Sequence, residues 1–344
     1  MAGRKQLMAD NLKLTICGAG AWGTAMAIQC AERGLAVSLL PRRREHAEAM
    51  RSAGENVEYL PGCPLPSGIR VETSDAAALG DAAIVLLGAP SYALRSWLER
   101  IRKTITDTRR VFFVSLAKGL ELKSGKTPCE LIGEAFPEHL IGCLSGPTFA
   151  GEVAQGKPVA MTLAANAIEP IVEAAQLAIS GPNMRIYLSE DLRGVELGGC
   201  LKNVYAIAAG CSQGLGLGDN AQAALLTRAL AEMVRVGRAL GAQPETFYGL
   251  SGFGDLVATC HGEWSRNRRF GEAVAKGGSA KEVVASQKTA VEGYRTAKSF
   301  REMLEAKGID APILEQVYRI LYEDKHPMVA LGDLMSRDLK RETD

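Results

Sequence analysis

Leu12-Lys13-Leu14-Thr15-Ile16-Cys17-Gly18-Ala19-Gly20-Ala21-Trp22-Gly23 is the stretch on which the fold turns. A short apolar run enters a G-x-G-x-x-G turn. The turn opens an Ala-rich helical stretch, 24–33, and a second apolar run follows at 36–40. Strand, glycine loop, helix and strand in that order are the start of a dinucleotide-binding unit. Gly18 permits the tight turn, Gly20 lets the main chain approach a pyrophosphate, and Gly23 allows the helix to pack closely on the sheet. The helix start offers N–H groups and the positive end of its dipole to phosphates, and Ala21 and Trp22 in the loop join the three glycines as candidate cofactor contacts. Without that flanking order the same six residues would be only a tight strand-to-helix turn.

Outward from this unit the rhythm repeats. Apolar runs at 12–17, 36–40, 82–87, 111–116, 140–144, 159–163 and 184–188 alternate with helical stretches. Ile84 to Leu87 and Val111 to Val114 are apolar at every position, as strands are when helices cover both faces of a parallel sheet. Past Asp191 such runs stop, and 221–240, 291–306 and 312–322 carry helical spacing between Gly-rich breaks. The expected architecture is an α/β Rossmann-type N-terminal domain with a mainly parallel sheet, residues 1–189. An all-α C-terminal domain, 190–335, and a frayed tail, 336–344, follow it.

Composition narrows the class. The 344 residues exceed one core of ordinary size, which agrees with two packed domains. At 47% hydrophobic and 23% charged, the chain reads as globular, and a disordered or fibrous class is excluded. Forty basic residues against 39 acidic give a net charge of +1, too balanced for a protein that holds nucleic acid through its phosphates. No run approaches a membrane span and the first residues lack a signal-like apolar core, so a cytoplasmic protein is expected. The eight cysteines are scattered without a C-x-x-C pair, and none of the four histidines has a second at metal-ligand spacing. No metal and no disulfide framework is expected.

The second strand of such a unit commonly ends near an acid that binds a free ribose 2′-hydroxyl. Here Leu40 is followed by Pro41-Arg42-Arg43-Arg44, and no carboxylate is available there. Guanidinium forks suit a 2′-phosphate, so Arg42 and Arg43 favour NADP (NADPH) over NAD. A solvated basic turn is the bland alternative.

Lys202 is the informative charge downstream. From 195 to 211 the only charged residues are Glu196 and Lys202, and Gly198 and Ala206 lie four residues away on the lysine's helical face. Small neighbours leave room for a ligand beside the amine, and desolvation would lower its pKa toward the neutral form of a general base. The same pattern also suits a lysine whose stem packs while its tip reaches water. Lys118 ends the run at 111–116, at the carboxyl edge where open α/β sheets bind ligands, and is otherwise an ordinary surface cation. Gly146 and Thr148 follow the next strand, where Pro147 and Thr148 would also suit a helix start. Asp255 lies in a Gly-rich loop that could carry its carboxylate toward Lys202 or merely build a turn. Ser265-Arg266-Asn267 offers a hydroxyl, a guanidinium and an amide in succession, suited to a phosphate monoester.

Several segments, in order, resemble bacterial-type NAD(P)-dependent glycerol-3-phosphate dehydrogenases over nearly the whole chain. They are Leu116-Ala117-Lys118-Gly119-Leu120-Glu121, Leu144 to Ala150, Glu196 to Val204, Gly216 to Asn220, Gly252 to Leu256, Thr259-Cys260, Ser265 to Arg269 and Val291 to Tyr294. The resemblance implies reversible reduction of dihydroxyacetone phosphate to sn-glycerol 3-phosphate, with NADPH as cofactor and NAD as second choice. It makes Lys202 the proton acceptor. It makes Lys118, Gly146, Thr148, Asp255, Ser265, Arg266 and Asn267 substrate contacts. To the glycine loop, Arg42 and Arg43 it adds Lys118, Ala150, Arg266, Ala290 and Glu292 on the cofactor. It further implies a homodimer and a product that feeds phospholipid synthesis. The competing readings are a β-hydroxyacid or 6-phosphogluconate type dehydrogenase, whose substrates carry a carboxylate, and a nucleotide-sensing protein without activity. Ser265 to Asn267 with Gly216 to Asn220 speaks against the first, and intact Lys118, Lys202 and Asp255 against the second.

Overall fold

The computed structural model describes residues 12–105, 110–287, 291–339 and 341–342. Its strands are β1 (Lys13–Cys17), β2 (Ala36–Leu40), β3 (Glu55–Asn56), β4 (Leu60–Pro64), β5 (Ile69–Val71), β6 (Ile84–Leu87), β7 (Phe112–Ser115), β8 (Leu140–Ser145), β9 (Val159–Ala165) and β10 (Met184–Ser189). Eight of them form one sheet in the order β10-β9-β8-β7-β6-β1-β2-β5, and β3 and β4 make a separate hairpin. Every residue of β6 and β7 is buried, as their unbroken apolar runs require.

The mainly parallel sheet expected from the sequence is present, with three differences. The β8–β9 pairing is antiparallel, so β9 and β10, parallel to each other, run against the rest. An apolar run specifies burial but carries no sign for strand direction. The edge strand β5 is only three residues long and only Val71 in it is buried, so it lacks a hydrophobic run to announce it. The β3–β4 hairpin, with strands of two and five residues, is exposed in its turn, and it bears on the site below.

Because β1, β2, β6, β7 and β8 are parallel neighbours, the loops after Cys17, Leu40, Leu87, Ser115 and Ser145 emerge along one edge. β2 lies on one side of β1 and β6 on the other, so chain order reverses beside the glycine loop, where open sheets form a ligand crevice.

From Leu192 onward the described chain is helical. Its centre is the Leu192–Gly214 helix, with 18 of 23 residues buried, so it has no solvent face. Asp191 caps it, accepting from the Gly194 N–H at 2.9 Å, while its other oxygen accepts from Thr246 Oγ1 at 2.6 Å. The Arg266–Ala275 helix lies directly on this one. A Cβ on Gly210 would stand 2.0 Å from the Arg268 carbonyl oxygen, and one on Gly271 would stand 2.1 Å from that of Ile207. The two helices therefore touch main chain to main chain. That approach brings the head of the Arg266 helix toward the Lys202 turn. All eight cysteines are free and buried, packed as small apolar residues. Among the described residues no helix is long and apolar enough to cross a membrane. In the final segment Arg337 pairs with Asp310 at 3.1 Å, and residues 340, 343 and 344 lie outside the described residues.

Candidate functional site

The glycine loop is built as its sequence suggests. Gly18 has φ +106°, and a Cβ there would stand 2.9 Å from the Gly88 carbonyl carbon; one on Gly23 would stand 2.1 Å from the Gly18 carbonyl oxygen. Gly20 differs, because its missing Cβ points into open space. Gly20 is also the N-cap of the Ala21–Glu32 helix, whose first turn holds no side-chain cap and no acid. Trp22 Nε1 is buried with no hydrogen-bond partner among the described residues. The N–H groups of the first helical turn, its positive end and the open space beside Gly20 fit a dinucleotide pyrophosphate.

Sequence reading missed Asn56. Its buried amide donates to the Ala19 carbonyl at 2.9 Å and to Thr24 Oγ1 at 2.8 Å, fastening the β3–β4 hairpin to the glycine loop. The turn of that hairpin carries Glu58, which accepts two hydrogen bonds from Arg43 at 2.7 and 2.6 Å. The run after β2 therefore does have a carboxylate beside it, contrary to the reading from the sequence. Arg44 pairs with Glu48 one helical turn on, whereas Arg42 is exposed with no carboxylate on it among the described residues.

Lys118, Asp255 and Lys202 meet at the carboxyl edge of the sheet. Lys202 donates to Asp255 Oδ1 at 2.9 Å and Lys118 to Asp255 Oδ2 at 2.6 Å. Their side chains are 9%, 15% and 2% exposed for Lys202, Lys118 and Asp255, so two cations and one anion are held largely out of water. Burial lowers the Lys202 pKa to about 8; the Asp255 charge opposes that shift and the Lys118 charge adds to it. Burial would raise the Asp255 carboxyl, but the two lysines outweigh it and hold the group below its ordinary value.

Asp255 is the first residue of the Asp255–His261 helix rather than a loop residue, because 250–254 winds into a π-helical turn that leads into it. That turn also corrects the expected cavity. A Cβ on Gly198 would meet the Ser251 carbonyl oxygen at 2.8 Å, so that glycine admits main chain rather than a ligand, and Ala206 is fully buried. Thr259, one turn beyond Asp255, accepts from Lys202 at 2.6 Å and donates to Asp255 Oδ1 at 3.1 Å. Only its spacing of four from Asp255 hinted at this. Two of the three Lys202 N–H bonds are thus directed by protein, and one remains.

Lys118 donates further to the Gly146 carbonyl at 2.7 Å and to Thr148 Oγ1 at 3.3 Å, so these three residues converge. The nearby helix starts at Ala150, which is half-buried, rather than at Pro147. Ser265 and Asn267 are committed to the fold. Ser265 caps the Arg266–Ala275 helix, accepting from the Arg268 N–H at 3.3 Å. Asn267 donates to Asn203 Oδ1 at 2.8 Å and accepts from the Gly293 N–H at 3.0 Å, and Asn203 in turn donates to the Lys118 carbonyl at 2.9 Å. This relay ties the heads of two helices and the middle of the Leu192–Gly214 helix to the Lys118 loop. It escaped the sequence reading because its members are spread over 118–293.

Arg266 is exposed at the first position of its helix, and its charge and that of Glu292 attract one another. Arg268 is buried and donates to the Gly262 carbonyl at 3.2 Å. Glu292 accepts from Ser91 Oγ at 2.9 Å, a link from the loop after β6 to the helical region, and burial raises its carboxyl pKa. Ala290 lies outside the described residues. His261 sits exposed at the far end of the Asp255 helix.

Comparison with known proteins shows the family. The family profile for the NAD-dependent glycerol-3-phosphate dehydrogenase N-terminus matches residues 13–170, and that for the C-terminus matches 191–332. The chain is 41% identical over 335 residues to glycerol-3-phosphate dehydrogenase [NAD(P)+] of Chlorobium phaeobacteroides, covering 96% of this chain and 99% of the relative. It is 43% identical over 330 residues to the protein of that name from Thioalkalivibrio sulfidiphilus, covering 96% and 98%. Among solved structures it resembles glycerol-3-phosphate dehydrogenase from Coxiella burnetii at TM-score 0.90 and 36% identity, covering 95% of this chain and all of that one.

Proposed function

The chain belongs to the NAD-dependent glycerol-3-phosphate dehydrogenase family of oxidoreductases, and on that premise we propose that Lys202 is the proton donor and acceptor as the enzyme interconverts dihydroxyacetone phosphate and sn-glycerol 3-phosphate. The observation that carries this reading is the buried Lys118–Asp255–Lys202 cluster on the edge that also bears the glycine loop. When bound, the nicotinamide dinucleotide exchanges a hydride with C2. In reduction Lys202 gives its proton to the C2 oxygen, and in oxidation it takes that proton back. Its pKa of about 8 keeps both forms available near neutral pH. Asp255 and Thr259 aim the amine. Two lysines against one carboxylate leave one net positive charge in a poorly solvated place, which favours an anionic substrate.

Lys118, Gly146 and Thr148 orient the substrate, and Lys118 also faces the cofactor. Arg266 holds the phosphate through its planar fork, with Ser265 and Asn267 fixing the helix head that presents it. Gly18, Gly20, Ala21, Trp22 and Gly23 cradle the pyrophosphate, Arg42 and Arg43 meet the adenosine end, and Ala150 and Glu292 line the remainder of the dinucleotide path. Residues 1–189 serve as the dinucleotide domain and 190–335 as the substrate domain. The setting is a cytoplasmic homodimer whose product supplies the glycerol backbone of phospholipids.

The test is dihydroxyacetone-phosphate-dependent oxidation of NADPH by wild type and Arg266→Lys. A charge-assisted hydrogen bond contributes about 1.5 to 3 kcal/mol, so losing the fork lowers kcat/KM for the phosphorylated substrate by about 10- to 150-fold. Unphosphorylated dihydroxyacetone, already poor for wild type, suffers much less. Equal losses on both would assign Arg266 to the cofactor or the fold.

A further inference from the structure

The adenosine ribose of a dinucleotide on a Rossmann-type sheet lies past the carboxyl end of the second strand, where an acid binds a 2′-hydroxyl or an arginine a 2′-phosphate. Here that place combines both chemistries. Arg42 and Arg43 follow β2, and Glu58 reaches the same spot from the β3–β4 hairpin to grip Arg43 through both oxygens. Glu58 does not arrive there loosely. Asn56, two residues earlier, is completely buried and bonded to the glycine loop itself, so the hairpin is set in register with the pyrophosphate cradle.

The pair has little value as a brace. Both side chains are 47% exposed, and exposed ion pairs contribute little to stability. Exposure does leave the outer face of the carboxylate open to a ligand. Burial opposes ionisation of Glu58, but the Tyr59 hydroxyl and the Arg43 guanidinium outweigh it and keep the carboxyl below its ordinary value, so it is an anion at neutral pH.

Building on the cofactor reading above, we infer that Glu58 is a specificity-determining residue: its carboxylate accepts the ribose 2′-hydroxyl of NADH and, by occupying Arg43, restrains binding of the 2′-phosphate of NADPH. Arg42, with no carboxylate on it among the described residues, is left as the main cation for that phosphate. One hairpin residue thereby makes a basic turn tolerant of both dinucleotides, a role that the run Pro41 to Arg44 does not reveal because its acid comes from a separate segment.

The experiment is equilibrium titration of the substrate-free protein with NADPH and with NADH, followed by nicotinamide fluorescence, for wild type, Glu58→Gln and Arg42→Ala. Glutamine keeps the size and a hydrogen-bond acceptor for Arg43 but removes the charge. Glu58→Gln should tighten NADPH, weaken NADH, and shift the ratio of the two Kd values toward NADPH by about fivefold or more, the range of one or two exposed polar contacts. An unchanged ratio in Glu58→Gln overturns the assignment. If Arg42→Ala still loses NADPH selectively, the failure belongs to Glu58 alone. If Arg42→Ala loses nothing, the placement of the ribose at this turn fails with it.

Discussion

Lys202→Ala should lower kcat about 100- to 10,000-fold, the usual loss when a positioned acid–base group is removed, while leaving the Kd for NADPH largely unchanged. The separation follows from the fold. The lysine stands on the Leu192–Gly214 helix, whereas the glycine loop and Arg42 belong to turns after β1 and β2. Removing the amine also leaves Asp255 paired with Lys118 at 2.6 Å, so the carboxylate is not stranded and the variant should fold. Stopped-flow turnover together with a fluorescence titration reads both quantities. A variant with near-normal kcat would make Lys202 a packed lysine whose charge serves only the Asp255 pair.

Asp255→Asn attacks the same centre from the other side. The amide keeps the shape of the side chain but leaves the amines of Lys118 and Lys202 facing each other without an anion, in a place too dry to screen them. Removing one partner of a buried ion pair costs about 3 to 5 kcal/mol, which should appear as a lower urea midpoint at neutral pH. Kinetics should report the same loss. Asp255 raises the Lys202 pKa against the effect of burial, so without it the amine releases its proton at lower pH. Dihydroxyacetone phosphate reduction, which needs the protonated amine, should then fail at a pH where wild type is still active. A variant with wild-type stability and an unmoved pH profile would mean that water or a substrate group, rather than Asp255, compensates the two lysines.

The parts of this molecule legible in its sequence are those whose cause is local. Gly18 to Gly23 could be read because the G-x-G-x-x-G spacing sits within one strand–turn–helix unit, although the contact that excludes a Cβ at Gly18 comes from Gly88 in the loop after β6, and the buried strands could be read because helices on both faces leave no polar position. Lys202 stood out as the lone cation among small residues, but the meaning of those neighbours was misread: Gly198 is small to admit the Ser251 carbonyl. The Asn267–Asn203–Lys118 relay and the Glu58–Arg43 pair join segments far apart in the chain, and no spacing rule marks them. Strand direction was likewise hidden, since Val159 to Leu163 would be equally apolar in either orientation. Ser265 shows how one residue satisfies two readings, because a hydroxyl suited to phosphate is also a good helix cap.

The pH dependence of kcat/KM, measured in both directions with wild type and Lys202→Ala, tests the acid–base role most directly. The substrate phosphate titrates at about 6, well removed from the lysine. Oxidation of glycerol 3-phosphate requires the neutral amine and should rise with pH to a plateau above about 8, and reduction of dihydroxyacetone phosphate requires the ammonium and should fall through the same point. The residual rate of Lys202→Ala should lack both limbs. Wild-type profiles that are flat through that region, or limbs that persist after the lysine is removed, would contradict Lys202 as the group that moves the proton.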